Sequence, residues 1–143
     1  MNRKKRPFEA WESKRIRSEN TIMTYYWIFN LLAIIQMFDI DRLGIGKVME
    51  ETLDYLKDFD GLHLSYDIDA LDPYIAPHTG TSVRGGLTYR EGNFICEAMS
   101  ATGRLRSMEL VEVNPSLYQD IDPKLTIGTA LSIVSSVMGR TIL

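Results

Sequence analysis

Two short apolar runs limit what this chain can fold into. Leu62 to Ile68 and Met108 to Val113 both read as short buried strands. Between them, Thr88 to Thr102 has the pattern of a helix closed by Gly103 at the C′ position. A helix also precedes the first strand. Asp39 or Asp41 can cap it, and Leu43, Val48, Met49, Leu53 and Leu56 recur near a 3.6-residue period. A last helix is predicted from about Asp122 to Gly139, with Leu125, Ala130, Ile133, Val134 and Val137 along its apolar face. Strands separated by a helix pair in parallel through a right-handed crossover, so the chain is of the α/β class.

Composition adds exclusions. A length of 143 residues is one domain's worth, and 45% apolar with 24% charged residues excludes wholesale disorder and a multi-pass membrane protein. One cysteine, Cys96, excludes a disulfide framework and any cysteine-based metal cluster. The net charge of −3 excludes a general nucleic-acid binder. That average hides an asymmetry. Residues 1–17 hold seven Lys or Arg against two Glu, whereas the remainder carries nine bases against seventeen acids. The basic start reads as a solvated tail. Ile22 to Phe38 follows, seventeen residues of which only Thr24, Asn30 and Gln36 are not apolar. A membrane span wants about 20 residues, so a buried helix or an unrelated start to the chain is preferred over a membrane anchor.

The chemistry concentrates in one acidic stretch. Between Lys57 and Arg84 stand five acids and no base. Carboxylates packed without a counter-charge repel, and a divalent cation would remove the conflict. Asp67 and Asp69, two apart at a strand end, would point to one face with Cα atoms about 6.5 Å apart. Such donors suit magnesium or manganese. The same residues would also serve as a polar strand-end turn in which Asp72 caps the loop before Pro73. Glu112, ending the second strand, falls on the same sheet edge in a parallel arrangement, where open α/β sheets place their ligands. It could pair bidentately with a guanidinium or accept backbone N–H bonds from the Asn114-Pro115 turn. Residues 73–87 make a long irregular loop, and long loops inside compact domains are usually functional. His63, about 13 Å before Asp67, is too far away to share a metal with it and reads as a satisfied buried histidine. His78, in the loop, could swing toward the site. Cys96 reads as a small core residue.

On these residues the chain resembles the ureohydrolase family, and within it the arginases. Ser65-Tyr-Asp67-Ile-Asp69-Ala-Leu-Asp72-Pro73, followed by Ala76-Pro77 and Gly85-Gly86, is similar to that family's third metal-binding signature. Asp41 to Glu51, Gly86 to Gly92 and Glu112-Val-Asn-Pro115 are similar to arginases more than to agmatinases. The resemblance covers about residues 38–143. It implies a partial three-layer parallel-sheet arginase-like fold, with residues 1–37 an unrelated basic and apolar segment. It implies a two-ion manganese centre in which Asp67 bridges both ions and Asp69 binds one. Glu112 would hold the substrate guanidinium, with Thr81 close by. The implied reaction is hydrolysis of L-arginine to L-ornithine and urea by a metal-bridging hydroxide. An agmatinase-type activity stands as an alternative. So does a non-catalytic truncated product that binds intact arginase subunits. The resemblance further implies a homo-oligomer, a trimer in the family, and a cytoplasmic location. His78 and Ser82 depart from the signature, which usually has a small residue and a proline there. The family's other metal ligands and its proton-shuttle histidine have no counterpart in this chain, so the chain alone is expected to be incomplete and inactive.

Overall fold

The computed structural model describes residues 35–118 and 120–142. The basic run and most of Ile22–Phe38 lie outside the described residues. Helix α1 spans Met37–Tyr55, strand β1 Leu62–Asp67, helix α2 Tyr89–Ala101, strand β2 Leu105–Val111 and helix α3 Lys124–Val137. A 3-10 turn at Ile68–Ala70 follows β1 directly. The two strands pair in parallel, as the strand–helix–strand order requires. No helix among the described residues is long and apolar enough to cross a membrane.

Leu62, Leu64 and Tyr66 alternate inward along β1 and join Met49 and Leu56 of the α1 region, Cys96 and Met99 of α2 and Ile133 of α3 in one core. The opposite sheet face is polar. There His63 Nδ1 and Ser107 Oγ lie 2.7 Å apart, and the Ser65 hydroxyl donates to Glu109 Oε1 at 2.8 Å. These pairs match the strand register. His63 is therefore a half-exposed cross-strand partner of Ser107 and not a buried histidine.

Several boundaries differ from expectation for local reasons. Gln36, not Asp39 or Asp41, caps α1, and Asp39 returns a carboxylate to the Gln36 N–H as the reciprocal partner. Gly44, at φ 76, breaks the helical path, which leaves Leu43 exposed. Thr88 caps α2 through a reciprocal pair with Glu91, and Gly103 takes the left-handed position beyond it. Strand β2 begins at Leu105 and ends at Val111, so Glu112 lies one residue past it.

Helix α3 keeps Ala130, Ile133 and Val137 of the predicted face against the core but exposes Leu125 and Val134. Its buried face is Thr126, Thr129, Ile133 and Ser136, while Leu125, Leu131 and Val134 are exposed. The cause is Asn93 on α2, whose buried Oδ1 accepts from the hydroxyls of both Ser132 and Ser136. A buried amide left without these donors would be costly, so the polar side of α3 turns inward.

Candidate functional site

Strand β1 ends at Asp67 because the chain turns at once into Ile68–Ala70, with the Asp67 carboxylate as its cap. Asp67 Oδ1 accepts the Asp69 backbone N–H at 3.1 Å. The two carboxylates are thus brought together by a turn and not by strand alternation, since Asp69 is no longer in the strand. Burial pushes the Asp69 carboxyl above its ordinary value, and the adjacent Asp67 and then Glu112 push it the same way. Asp69 thus feels the negative charge of both Asp67 and Glu112.

Glu112 has an unusual conformation. Its φ of 63 is the one positive value among the described non-glycine residues. That backbone costs about 1–3 kcal/mol and persists only where the surroundings dictate it. Two contacts do so. The Asn114 N–H donates to the His78 carbonyl at 3.0 Å, and a Cβ placed on Gly80 would stand 3.5 Å from Glu112 Oε2. The Glu112 side chain thus lies against the glycine of the Thr79-Gly80-Thr81 turn. Thr81 itself is exposed two residues from the buried Thr79.

Asp72 plays a different part. Its carboxylate accepts from the Tyr74 N–H at 3.0 Å and from the Gly85 N–H at 2.9 Å. Those bonds, Tyr74's foremost, hold its carboxyl below the ordinary value. Asp72 ties off the loop by accepting one amide on each carboxylate oxygen. His78 does not swing toward the acids. It is completely buried, with its ring bonded to the Ile121 carbonyl and set edge-on to Tyr118. Cys96 is buried in the core, and burial pushes its thiol up to about 12, so it is no nucleophile.

Sequence reasoning missed the roles of Gly80, Gly86 and Thr126. The Gly85-Gly86 pair was a visible signal for one of them. Nothing in the local sequence marks the left-handed Glu112.

The donor set suits a hard cation, since among the described residues no cation forms an ion pair with Asp67, Asp69 or Glu112. It is also small. Among the described residues, no three His, Cys, Asp or Glu side chains are grouped so as to hold a metal ion. A consequence follows for the metal-free chain. The raised Asp69 value means that the folded state disfavours the charged form, so stability falls as pH rises through that value. Asp69→Asn is therefore expected to raise the melting temperature at pH 7. The gain should fade below about pH 3.9, where the carboxyl is protonated in both states. Thermal melts of both proteins across this range test it, and an unchanged or lowered melting temperature at pH 7 contradicts it. The Asp72 contribution has the opposite sign, being lost as pH falls, and it cancels between the two proteins.

The chain matches the arginase family model over residues 16–139. It is 55% identical over 107 residues to an arginase of Emericella nidulans, an alignment covering 75% of this chain and 33% of that protein. It is 53% identical over 108 residues to the mitochondrial arginase-2 of Bos taurus, covering 73% and 30%. Among solved structures, arginase from Bacillus subtilis aligns with a TM-score of 0.68 at 48% identity, over 75% of this chain and 39% of that one. Arginase from Bacillus caldovelox aligns with a TM-score of 0.69 at 39% identity, over 82% and 40%. The chain spans about a third of the length of the curated relatives it matches.

Proposed function

The chain belongs to the arginase family, and from that premise we propose that it supplies part of a dinuclear manganese centre and the guanidinium anchor of an enzyme that hydrolyses L-arginine to L-ornithine and urea. The supporting observation is that Asp69 feels the negative charge of both Asp67 and Glu112 at the ends of two parallel strands. Asp67 and Asp69 would hold the metal. Manganese, when bound, would acidify a water molecule for attack on the guanidinium carbon.

The chain's own residues do the rest. Glu112, held left-handed against Gly80, would present its carboxylate to the planar guanidinium, where two parallel N–H···O bonds give both charge and orientation. Thr81 would line the same approach. The resemblance of Glu112-Val-Asn-Pro115 to arginases favours L-arginine over agmatine, whereas the α-carboxylate that distinguishes the two would be read mostly by residues outside this chain. Residues 38–143 are the arginase-like portion in this reading, and α1 begins at Met37, although the family match starts earlier, at residue 16. The proposed partners are L-arginine, further copies in a homo-oligomer, and intact arginase subunits, in the cytoplasm.

The test is a chimera in which residues 38–143 replace the corresponding part of an intact arginase. It should release urea from L-arginine faster than from agmatine, and Asp67→Ala and Asp69→Ala should each abolish release and lower bound manganese. Faster turnover of agmatine overturns the substrate assignment. Unchanged manganese stoichiometry in both variants overturns the metal assignment.

A second reading, a non-catalytic product that associates with intact arginase subunits, has its own observation. Helix α3 presents Leu131, 63% exposed, and the residue after it, Met138, is 82% exposed. An apolar strip of this kind favours association.

A further inference from the structure

We propose that His78 is a positioning residue that joins the site loop, the segment after β2 and the start of α3 at one buried point, and so sets where Gly80 and Thr81 stand relative to Glu112. The inference rests on the reading of Glu112 and Thr81 as a guanidinium site, and the geometry behind it is independent of any metal.

Five interactions meet at this residue. The His78 N–H donates to Thr126 Oγ1 at 3.0 Å, and its carbonyl accepts the Asn114 N–H at 3.0 Å. Ring Nε2 lies 3.1 Å from the Ile121 carbonyl, and Nδ1 faces Thr126 Oγ1 at 3.5 Å. The Tyr118 ring meets the imidazole edge-on, with centroids 5.8 Å apart. A carbonyl can only accept, so Nε2 carries the ring proton and Nδ1 is left to face the hydroxyl. The ring thus anchors Tyr118, Ile121 and α3, while the backbone anchors Asn114, two residues beyond Glu112.

A small residue would keep the two backbone bonds and lose the ring's. Tyr118 and Ile121 would then lose their contacts with the ring, leaving the Asn114 bond to tie the segment after β2 to His78. A Cβ on Gly80, two residues from His78, would stand 3.5 Å from Glu112 Oε2, so slack at 78 changes the space beside the carboxylate. An imidazole where the family signature usually has a small side chain is therefore a device of this chain for stiffening the site.

The test uses the whole isotopically labelled chain without metal or substrate. In wild type, nitrogen chemical shifts should report His78 as the Nε2-protonated tautomer, and an Nδ1-protonated ring overturns the proposal. In His78→Ala, amide exchange at Gly80, Thr81, Glu112 and Asn114 should rise about tenfold relative to α2, the effect of one lost buried hydrogen bond. His78→Gln, whose amide can still donate toward Ile121, should restore most of that protection. If His78→Ala does not fold, Thr126→Val should show the same local rise. A uniform rise across all elements, or no rescue by glutamine, marks a merely structural role and overturns the proposal. None of these readouts depends on turnover, so a failed urea assay would count against the proposed reaction and leave the clamp standing.

Discussion

Given excess manganese and saturating L-arginine, the purified chain is expected to release urea no faster than buffer. Two hard divalent ions want on the order of six ligands each, some of them shared or supplied by water. The described residues bring together Asp67 and Asp69, with Glu112 proposed for the guanidinium, and hold no group of three potential ligands. His78, the one imidazole in the site loop, is held in place by Ile121 and Thr126. Asp72 accepts the Tyr74 and Gly85 amides. A site of two carboxylates holds manganese weakly, and a single weakly held ion cannot supply the second metal that the family reaction uses. Urea production that disappears in Asp67→Ala would show the chain to be self-sufficient and would overturn this expectation.

The legible part of the molecule was the part governed by local pattern. Apolar runs of strand length separated by a helical period specify a parallel pair, and Thr88 with Gly103 bracket α2 as capping chemistry requires. The acidic stretch marked the segment where Asp67 and Asp69 stand adjacent, although Asp72 within it is satisfied by backbone amides instead. What escaped depends on contacts distant in sequence. Helix α3 turns its serines and threonines inward because Asn93, some forty residues away, needs donors. His78 is fixed by residues 121 and 126, which its own neighbours in sequence do not reveal. Asp67 and Asp69 were expected to converge by strand alternation. They do so through a turn that begins where the strand stops, because the Asp67 carboxylate captures the next turn's amide. The strand-end placement expected for Glu112 was off by one residue, and that residue is the left-handed one.

Gly86→Ala is expected to be the most damaging single-methyl change near the site, costing about 3 kcal/mol of stability, the upper end of overpacking penalties. A Cβ on Gly86 would lie 2.6 Å from the Leu71 carbonyl carbon, 2.7 Å from the Asp72 nitrogen and 2.8 Å from the Ala70 oxygen. All three are backbone atoms and cannot swing aside as a side-chain tip could. The chain approaches this closely because Leu71 and Leu87 pair as an isolated parallel bridge. In it the Leu87 N–H donates to the Ala70 carbonyl at 2.8 Å and the Asp72 N–H to the Leu87 carbonyl at 3.0 Å. Separating the two segments to admit a methyl would stretch both bonds and pull Leu71 and Leu87 out of their buried cluster with Ile68 and Ala76. Gly85→Ala is the matched control. Gly85 has φ 86 but nothing within 4 Å of its would-be Cβ, so alanine there pays backbone strain alone, about 1–2 kcal/mol. Denaturant unfolding of both variants should therefore rank Gly86→Ala as the less stable. The Gly86 change should also loosen Asp69, whose neighbour Ala70 is one of the atoms displaced, and raise amide exchange along residues 69–72. Equal stabilities, or the reverse order, would mean that the two segments do not approach as closely as this packing requires.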